Sequence, residues 1–358
     1  MKRIDYYIIK KFLGTFFYAI ALLIVIVVVF DFSEKIDDFI RKAAPLKEII
    51  FTYYFNFIPY FINLFVYLFT FISVIFFTSK MAANSEIVAI LSSGISYRRL
   101  MRPYLISSVF LAVMSFMLAN FVIPHTNRKL VEFEKRYIND PRSTRDINIH
   151  MQLDPQTYIY VESFNTQNQT GYKFSLEKIN KKGLYYKLTS DKCVWDSLTN
   201  TWNVYNYAER TLNGMNDIID RGRVKNMALN LKPEDFTLKV EDVITMNFFD
   251  LNRFVRDEKM KGTRKVIEYI VAQQKRIANP FATIILTFIG FALSSRKIRG
   301  GIGMHLGIGI TITFSYILFM QISTVYATYG NLSPFMAAWI PNFIFGVVAI
   351  FLVKYAPK

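Results

Sequence analysis

Six runs in this 358-residue chain are too long, too apolar and too poor in charge for soluble secondary structure. They cover about residues 12–32, 51–77, 104–123, 278–293, 304–326 and 336–353, and apart from Asp31 in the first, none contains Asp, Glu, Lys or Arg. About 20 apolar residues at 1.5 Å rise cross the hydrocarbon core of a bilayer, where the backbone must satisfy its own hydrogen bonds. The fold class expected is an α-helical polytopic membrane protein with six transmembrane helices, three before and three after a long polar segment. The polar residues inside the runs are of the type of Asn56, Asn63, Asn120, Gln321 and Asn342. Ion-coupled carriers place ionisable or ion-coordinating groups at membrane depth. A proton-driven carrier is therefore disfavoured, and the energy source is expected outside the chain.

The formal charge of +16 would suggest nucleic acid in a soluble protein. Here many of the bases flank the apolar runs, where cytoplasmic loops collect Lys and Arg, so no nucleic-acid partner is expected. Lys2, Arg3, Lys10 and Lys11 precede the first run, Lys80, Arg98, Arg99 and Arg102 lie between the second and third, and Arg296, Lys297 and Arg299 lie between the fourth and fifth. Lys354 and Lys358 close the chain, whereas the loop 329–334 carries no charge. All the basic segments fall on one side, which places both termini in the cytoplasm and the segment from 124 onward outside. The first run is too long for a signal-peptide core and lacks a small-residue cleavage site, so it is expected to stay as a helix.

The polar segment alternates with the strand period at 158–161, 172–176, 184–188, 194–195 and 202–205, separated by turn residues such as Asn180-Lys-Lys-Gly183. An inserted extracytoplasmic all-β domain is expected, as a sandwich or a partly open roll. Near Leu251, Phe254 and Val255 the pattern becomes helical before Gly262, and a helix from about Lys265 leads into the fourth run, with Asn279-Pro280 at its entry. The domains expected are 1–123, with transmembrane helices 1–3; 124–277, the β-domain with its helical connector; and 278–358, with transmembrane helices 4–6.

Catalytic chemistry finds no support. Nothing matches G-x-x-x-x-G-K-[ST], and Gly300-Gly301-Ile-Gly303 lacks the following Lys, so the chain has no nucleotide site of that kind. His125, His150 and His305 are scattered without metal-ligand spacing, and Cys193 is the single cysteine, which rules out an intrachain disulfide. No catalytic residue, metal or cofactor is expected. Between the second and third runs, a short amphipathic helix is expected at about 82–94. Asn84 or Ser85 is placed to cap it, Glu86 lies in its first turn, where the helix dipole favours an acid, and Gly94 ends it. It either rests on lipid headgroups or docks a cytosolic partner.

Taken in order, Ser85-Glu86-Ile87-Val88 with Ser93-Gly94, the Asn279-Pro280-Phe281 entry, the 296–301 loop and Leu332-Ser333-Pro334 through Trp339-Ile340-Pro341-Asn342 make the whole chain resemble the LptF/LptG lipopolysaccharide-export permeases. The resemblance implies a transmembrane subunit of an ABC exporter in the bacterial inner membrane. Such a subunit pairs with a second F-type or G-type permease, binds a cytosolic ABC ATPase dimer, and passes lipopolysaccharide through a periplasmic β-jellyroll to a single-span periplasmic bridge protein. It also implies that the 82–94 helix is the ATPase-coupling element, with Glu86 as its acid and Ser85, Ile87 and Gly94 around it.

An anionic, multi-acyl cargo requires an apolar cavity at membrane depth and cations at headgroup level. Lys35, Arg41 and Lys42, just outside the first run, are the candidate cations, and Lys35 and Lys42 share a face if that helix continues. The bland reading pairs Asp37 with Arg41 and Asp38 with Lys42 on an ordinary solvated helix. An alternative function is a membrane-tethered periplasmic binding or assembly module without transport activity, for which six spans exceed what anchoring requires.

Overall fold

The structure, a computed structural model, describes residues 3–138, 147–180, 183–213, 216–236, 240–261, 265–296 and 301–356. Lys2, Gly262, Lys297, Arg299, Gly300 and Lys358 of the sequence argument lie outside the described residues, as do Lys181 and Lys182 of the expected turn. The chain divides into two compact units, one of residues 1–139, 244–248 and 270–358, the other of 140–243 and 249–269.

Six helices are long and apolar enough to cross a membrane, and apart from the first turn of the fourth they lie in the first unit. They are α1 (Arg3–Arg41), α2 (Leu46–Ala83) and α4 (Tyr97–Tyr137), then α6 (Val266–Ser294), α7 (Gly301–Tyr329) and α8 (Pro334–Tyr355). A short helix, α3 (Glu86–Ser92), links α2 to α4. Each helix contains its apolar run and extends past it. The 39 residues of α1 measure ~58 Å at helical rise, well beyond a hydrocarbon core of ~30 Å.

Two of these helices include π-helical segments, Ile49–Tyr54 in α2 and Leu118–Val122 in α4. Both precede a proline, Pro59 and Pro124. A proline removes one backbone donor and crowds the carbonyl four residues back, and at these two positions the ladder upstream is widened. Asparagines absorb part of the mismatch: Asn56 Nδ2 donates to the Thr52 carbonyl at 2.7 Å, and Asn120 Nδ2 to the Phe116 carbonyl at 2.9 Å. In an apolar surrounding such repairs hold the helix together across the defect.

Helix association in lipid cannot draw on the hydrophobic effect, because lipid tails are as apolar as the helices; close backbone approach and hydrogen bonds take its place. Ile8, Phe12, Phe16 and Ile20 recur every four residues on α1, and this buried stripe packs with Val74 and Phe77 of α2 and Tyr104 and Leu111 of α4. On the other flank, Phe71 and Ile75 of α2 meet Leu286 and Ile289 of α6, Tyr316 of α7 and Phe345 of α8. At Gly309 of α7 a side chain would put its Cβ 2.3 Å from Ile75 Cδ1, so α7 lies this close to α2 with Ile75 in its present place because no side chain is there. Polar clamps finish the packing. Tyr316 Oη donates to Asn342 Oδ1 at 3.0 Å, Asn342 Nδ2 donates to the Ala278 carbonyl at 2.9 Å, and Ser115 Oγ donates to Asn63 Oδ1 at 2.7 Å.

The second unit is built on one antiparallel sheet of six strands in consecutive order, β1 (Ile147–Asp154), β2 (Thr157–Asn165), β3 (Thr170–Asn180), β4 (Gly183–Asp196), β5 (Thr201–Asn213) and β6 (Asn216–Met227). The separate segments at 184–188 and 194–195 are one 14-residue strand, β4, and the Asn180–Gly183 pair closes the β3–β4 hairpin where the turn was expected. Alternation puts Ile159, Val161, Phe174, Leu176, Leu188, Trp202 and Val204 on one face, where Leu231 and Phe236 pack with them. Trp202 Nε1 donates to the Leu231 carbonyl at 2.8 Å, so its one polar atom is satisfied inside the core. Among the described strands the order is a simple meander without the crossover a jellyroll needs. Helix α5 (Phe248–Lys261) follows, matching the helical pattern around Leu251.

Candidate functional site

At the end of the helical unit that carries the N-terminus, α2 stops at Ala83 and α3 starts at Glu86, so two residues make the corner. Ser85 takes a left-handed backbone, φ 62°, and its side chain does not cap α3. The sequence expectation of an Asn84 or Ser85 cap is thereby corrected: the tight corner turns Ser85 away from the extended conformation that a capping side chain needs. Glu86 is held from elsewhere. Tyr7 Oη of α1 donates to Glu86 Oε2 at 3.0 Å, and Asn84 Nδ2 donates to Glu86 Oε1 at 3.4 Å. Gly94, at φ +85°, ends the turn as its type suggests.

Ile87 is 2% exposed and packs into the α1–α2–α4 core, with Ile90 and Leu91 partly buried beside it. The outward side of α3 presents Ser85, Val88, Ala89 and Ser92. The helix is therefore anchored by one row of side chains and offers a low, small-residue face on the other, which a groove in another protein can accept closely. The surrounding joints are firm. Arg99 at the start of α4 pairs with buried Asp5 through two hydrogen bonds, at 2.8 and 2.7 Å. Ser79 Oγ lies 2.8 Å from His305 Nδ1, tying α2 to α7, and Arg296 donates to the Tyr355 carbonyl at 2.9 Å, closing the end of α8. Asp5 was not singled out from sequence; an acid among Lys and Arg near the start of an apolar helix was its one visible signal.

The second candidate site lies where α1 and α4 outrun their apolar runs beside the first turns of α2 and pack Phe39, Ile49, Tyr53, Phe57, Leu130 and Phe133 together. Lys35 turns into this cluster. Its Nζ is 3.0 Å from Asp31 Oδ1 and 3.7 Å from Glu134 Oε1, it donates to Tyr53 Oη, and it lies 4.9 Å from the Tyr53 ring centre. Tyr53 Oη in turn donates to Asp31 Oδ1 at 3.2 Å. Arg41 is exposed and pairs with Asp38 across three residues, rather than the Asp37–Arg41 pairing suggested by sequence. Helix α1 ends at Arg41, and Lys42 lies in the turn that follows, its amide still donating to the Asp38 carbonyl at 3.0 Å. The structure thus separates the three: Lys35 sits inside an ion-paired network, while Arg41 and Lys42 face outward.

Glu134 and Tyr53 belong to this network and were missed. The boundary expected at 124 follows the end of the apolar run at 123, whereas α4 continues to Tyr137 with Leu130, Phe133 and Tyr137 at helical spacing. Among the described residues no group of His, Cys, Asp and Glu could hold a metal. Comparison with known proteins gives one family match: the model of the lipopolysaccharide export system permease LptF/LptG family covers residues 6–355. No curated protein sequence matches the chain.

Proposed function

We propose that this chain, which belongs to the LptF/LptG family of lipopolysaccharide export permeases, is a membrane subunit through which lipopolysaccharide leaves the inner membrane. The observation that carries this reading is the family match, which spans both the helices and the β-domain. Power comes from a separate cytosolic ABC ATPase dimer, consistent with the lack of a P-loop sequence. A second permease, F-type or G-type, completes the membrane pathway, and a single-span bridge protein receives the lipid from the β-domain. Both termini are cytoplasmic and residues 124–277 periplasmic, by the distribution of Lys and Arg around the spans.

In this assignment α3 is the coupling helix. Ile87 fastens it to the bundle, Gly94 frees its end, and Ser85 and Glu86 meet the ATPase. A push on α3 passes through Ile87 into α1, α2 and α4, and through the Glu86–Tyr7 bond directly into α1. At the far end Arg41 and Lys42 are the cations placed to meet lipid phosphates, while Lys35 reaches them once it leaves Asp31 and Glu134. The test is reconstitution with the candidate ATPase and second permease in nanodiscs. Lipopolysaccharide is expected to stimulate ATP hydrolysis and to be extracted, and a chain that purifies as a stable lone protein with no ATPase partner overturns the reading in favour of a tethered module.

A further inference from the structure

We propose that a groove at the basic end of the helical unit holds one anionic phospholipid from the membrane leaflet on that side. The proposal rests on the membrane reading above and is independent of lipopolysaccharide transport. The groove encloses about 910 Å³ between Leu91 at the end of α3, the α3–α4 loop with Gly94, the first turns of α4, α6 and the last turns of α8. That volume is in the range of pockets that enclose a small organic ligand, ~300–1,000 Å³. Its wall is apolar, formed by Phe288 of α6 with Ala349, Ile350 and Val353 of α8, and Arg98 and Lys354 contribute to its lining.

Charge identifies the occupant. Several bases gather at this end, and two of them are already engaged: Arg99 by Asp5, and Arg296 by the Tyr355 carbonyl. Arg98 and Lys354 are exposed, and neither has an ion-pair partner among the described residues. Two bases without a paired acid, beside a recess lined by span residues, match a molecule that carries a phosphate and an acyl chain on one scaffold. A segment of a cytosolic protein fits less well, because entering the recess would bring its backbone to a wall formed by the spans, where unpaired peptide groups are costly. A lipid already lies in that orientation, and its phosphate meets bases at the height where anionic headgroups attract Lys and Arg.

The binding differs from ordinary lipid contact in its charge selectivity. Each base near an anionic surface contributes roughly a five-fold preference, so two give on the order of twenty-five-fold. The experiment uses the assembled complex in nanodiscs of equal phosphatidylglycerol and phosphatidylethanolamine, and native mass spectrometry to read the ratio of retained lipids. Wild type is expected to retain phosphatidylglycerol preferentially by that order. Arg98→Gln with Lys354→Gln should abolish the preference at unchanged thermal midpoint. Ile350→Trp, which fills the recess and keeps both bases, should lower total retention. An absent preference in wild type, or one that survives the double substitution, overturns the proposal. Loss of ATPase association in the double variant with an unchanged lipid ratio also overturns it, and assigns the groove to a protein. Failure of lipopolysaccharide extraction with phosphatidylglycerol still retained would count against the transport reading alone.

Discussion

At the residue scale, Glu86 separates two roles by magnitude. If it meets a base of the ATPase in a partly desolvated groove, Glu86→Ala leaves that base unpaired at about 2–5 kcal/mol, roughly 30-fold to several thousand-fold in association. If it serves only the helix dipole, about 0.3–1 kcal/mol is lost. Tyr7→Phe is the internal control, because it removes the 3.0 Å bond to Glu86 and leaves the carboxylate, at about 0.5–1.5 kcal/mol. The expected order of ATPase affinity is wild type, Tyr7→Phe, Glu86→Ala and then Glu86→Lys, and affinities within five-fold of one another would refute the coupling role. The cations call for the same separation. Arg41→Gln with Lys42→Gln leaves the Asp31–Lys35–Glu134 network untouched and should weaken lipopolysaccharide-stimulated hydrolysis at unchanged thermal midpoint. Lys35→Gln removes the base that Asp31 and Glu134 share, so it should also lower the thermal midpoint, and an unchanged midpoint would show that this base contributes nothing to the fold.

Elements show where local pattern was sufficient and where it was not. The β-strands were legible from alternation in β2 to β5, because one face must be buried and the period is two. Strands β1 and β6, at the sheet edges, were not read: β6 keeps Ile218, Ile219 and Val224 exposed, so it carries no buried–exposed rhythm. Cys193 lies on the buried face at 1% exposure, and burial pushes its thiol up to about 12. It is also the chain's single cysteine, so its alkylation reports this sheet alone. Alkylation at pH 8.5 should be slow in the folded protein and fast after denaturation. The sign of the linkage follows: the folded thiol is held neutral, so its stabilisation is complete below the unfolded value near 8.5. It falls by about 1.4 kcal/mol per pH unit as pH rises toward 12. In the bundle, Gly309 is the element-scale test. Gly309→Val forces Ile75 aside in a full core, and a loss of about 1–3 kcal/mol is expected from thermal unfolding in detergent, against little effect for Gly307→Val, where no atom lies within 4 Å of a new Cβ.

For the whole molecule, sidedness is the decisive property, because the export reading needs the sheet outside and α3 inside. In a Cys193→Ala background, Leu198→Cys, in a turn with Leu198 95% exposed, should react with a membrane-impermeant maleimide from the periplasmic side. Ser93→Cys, just past α3, should react only after the membrane is opened. Labelling of position 198 from the cytoplasmic side alone would invert the topology and remove the basis of the proposed function.

The sequence by itself determined the number of apolar helices, their order around a β-domain and the family, because each follows from local quantities: run length, side-chain period and an ordered set of short motifs. Only the tertiary structure decided which polar groups are spent on the protein itself. Lys35 looks like a free cation next to a membrane until Asp31, Tyr53 and Glu134, from three helices, surround it. Glu86 looks like a first-turn acid serving the helix dipole until Tyr7, 79 residues earlier, is found to donate to it. Helix ends behaved likewise: the apolar run ends at 123, yet α4 passes through the π-helical turn at Leu118–Val122 and on to Tyr137. Partners far apart in sequence leave no periodic trace, and a charge is free or neutralised only by what the fold brings beside it.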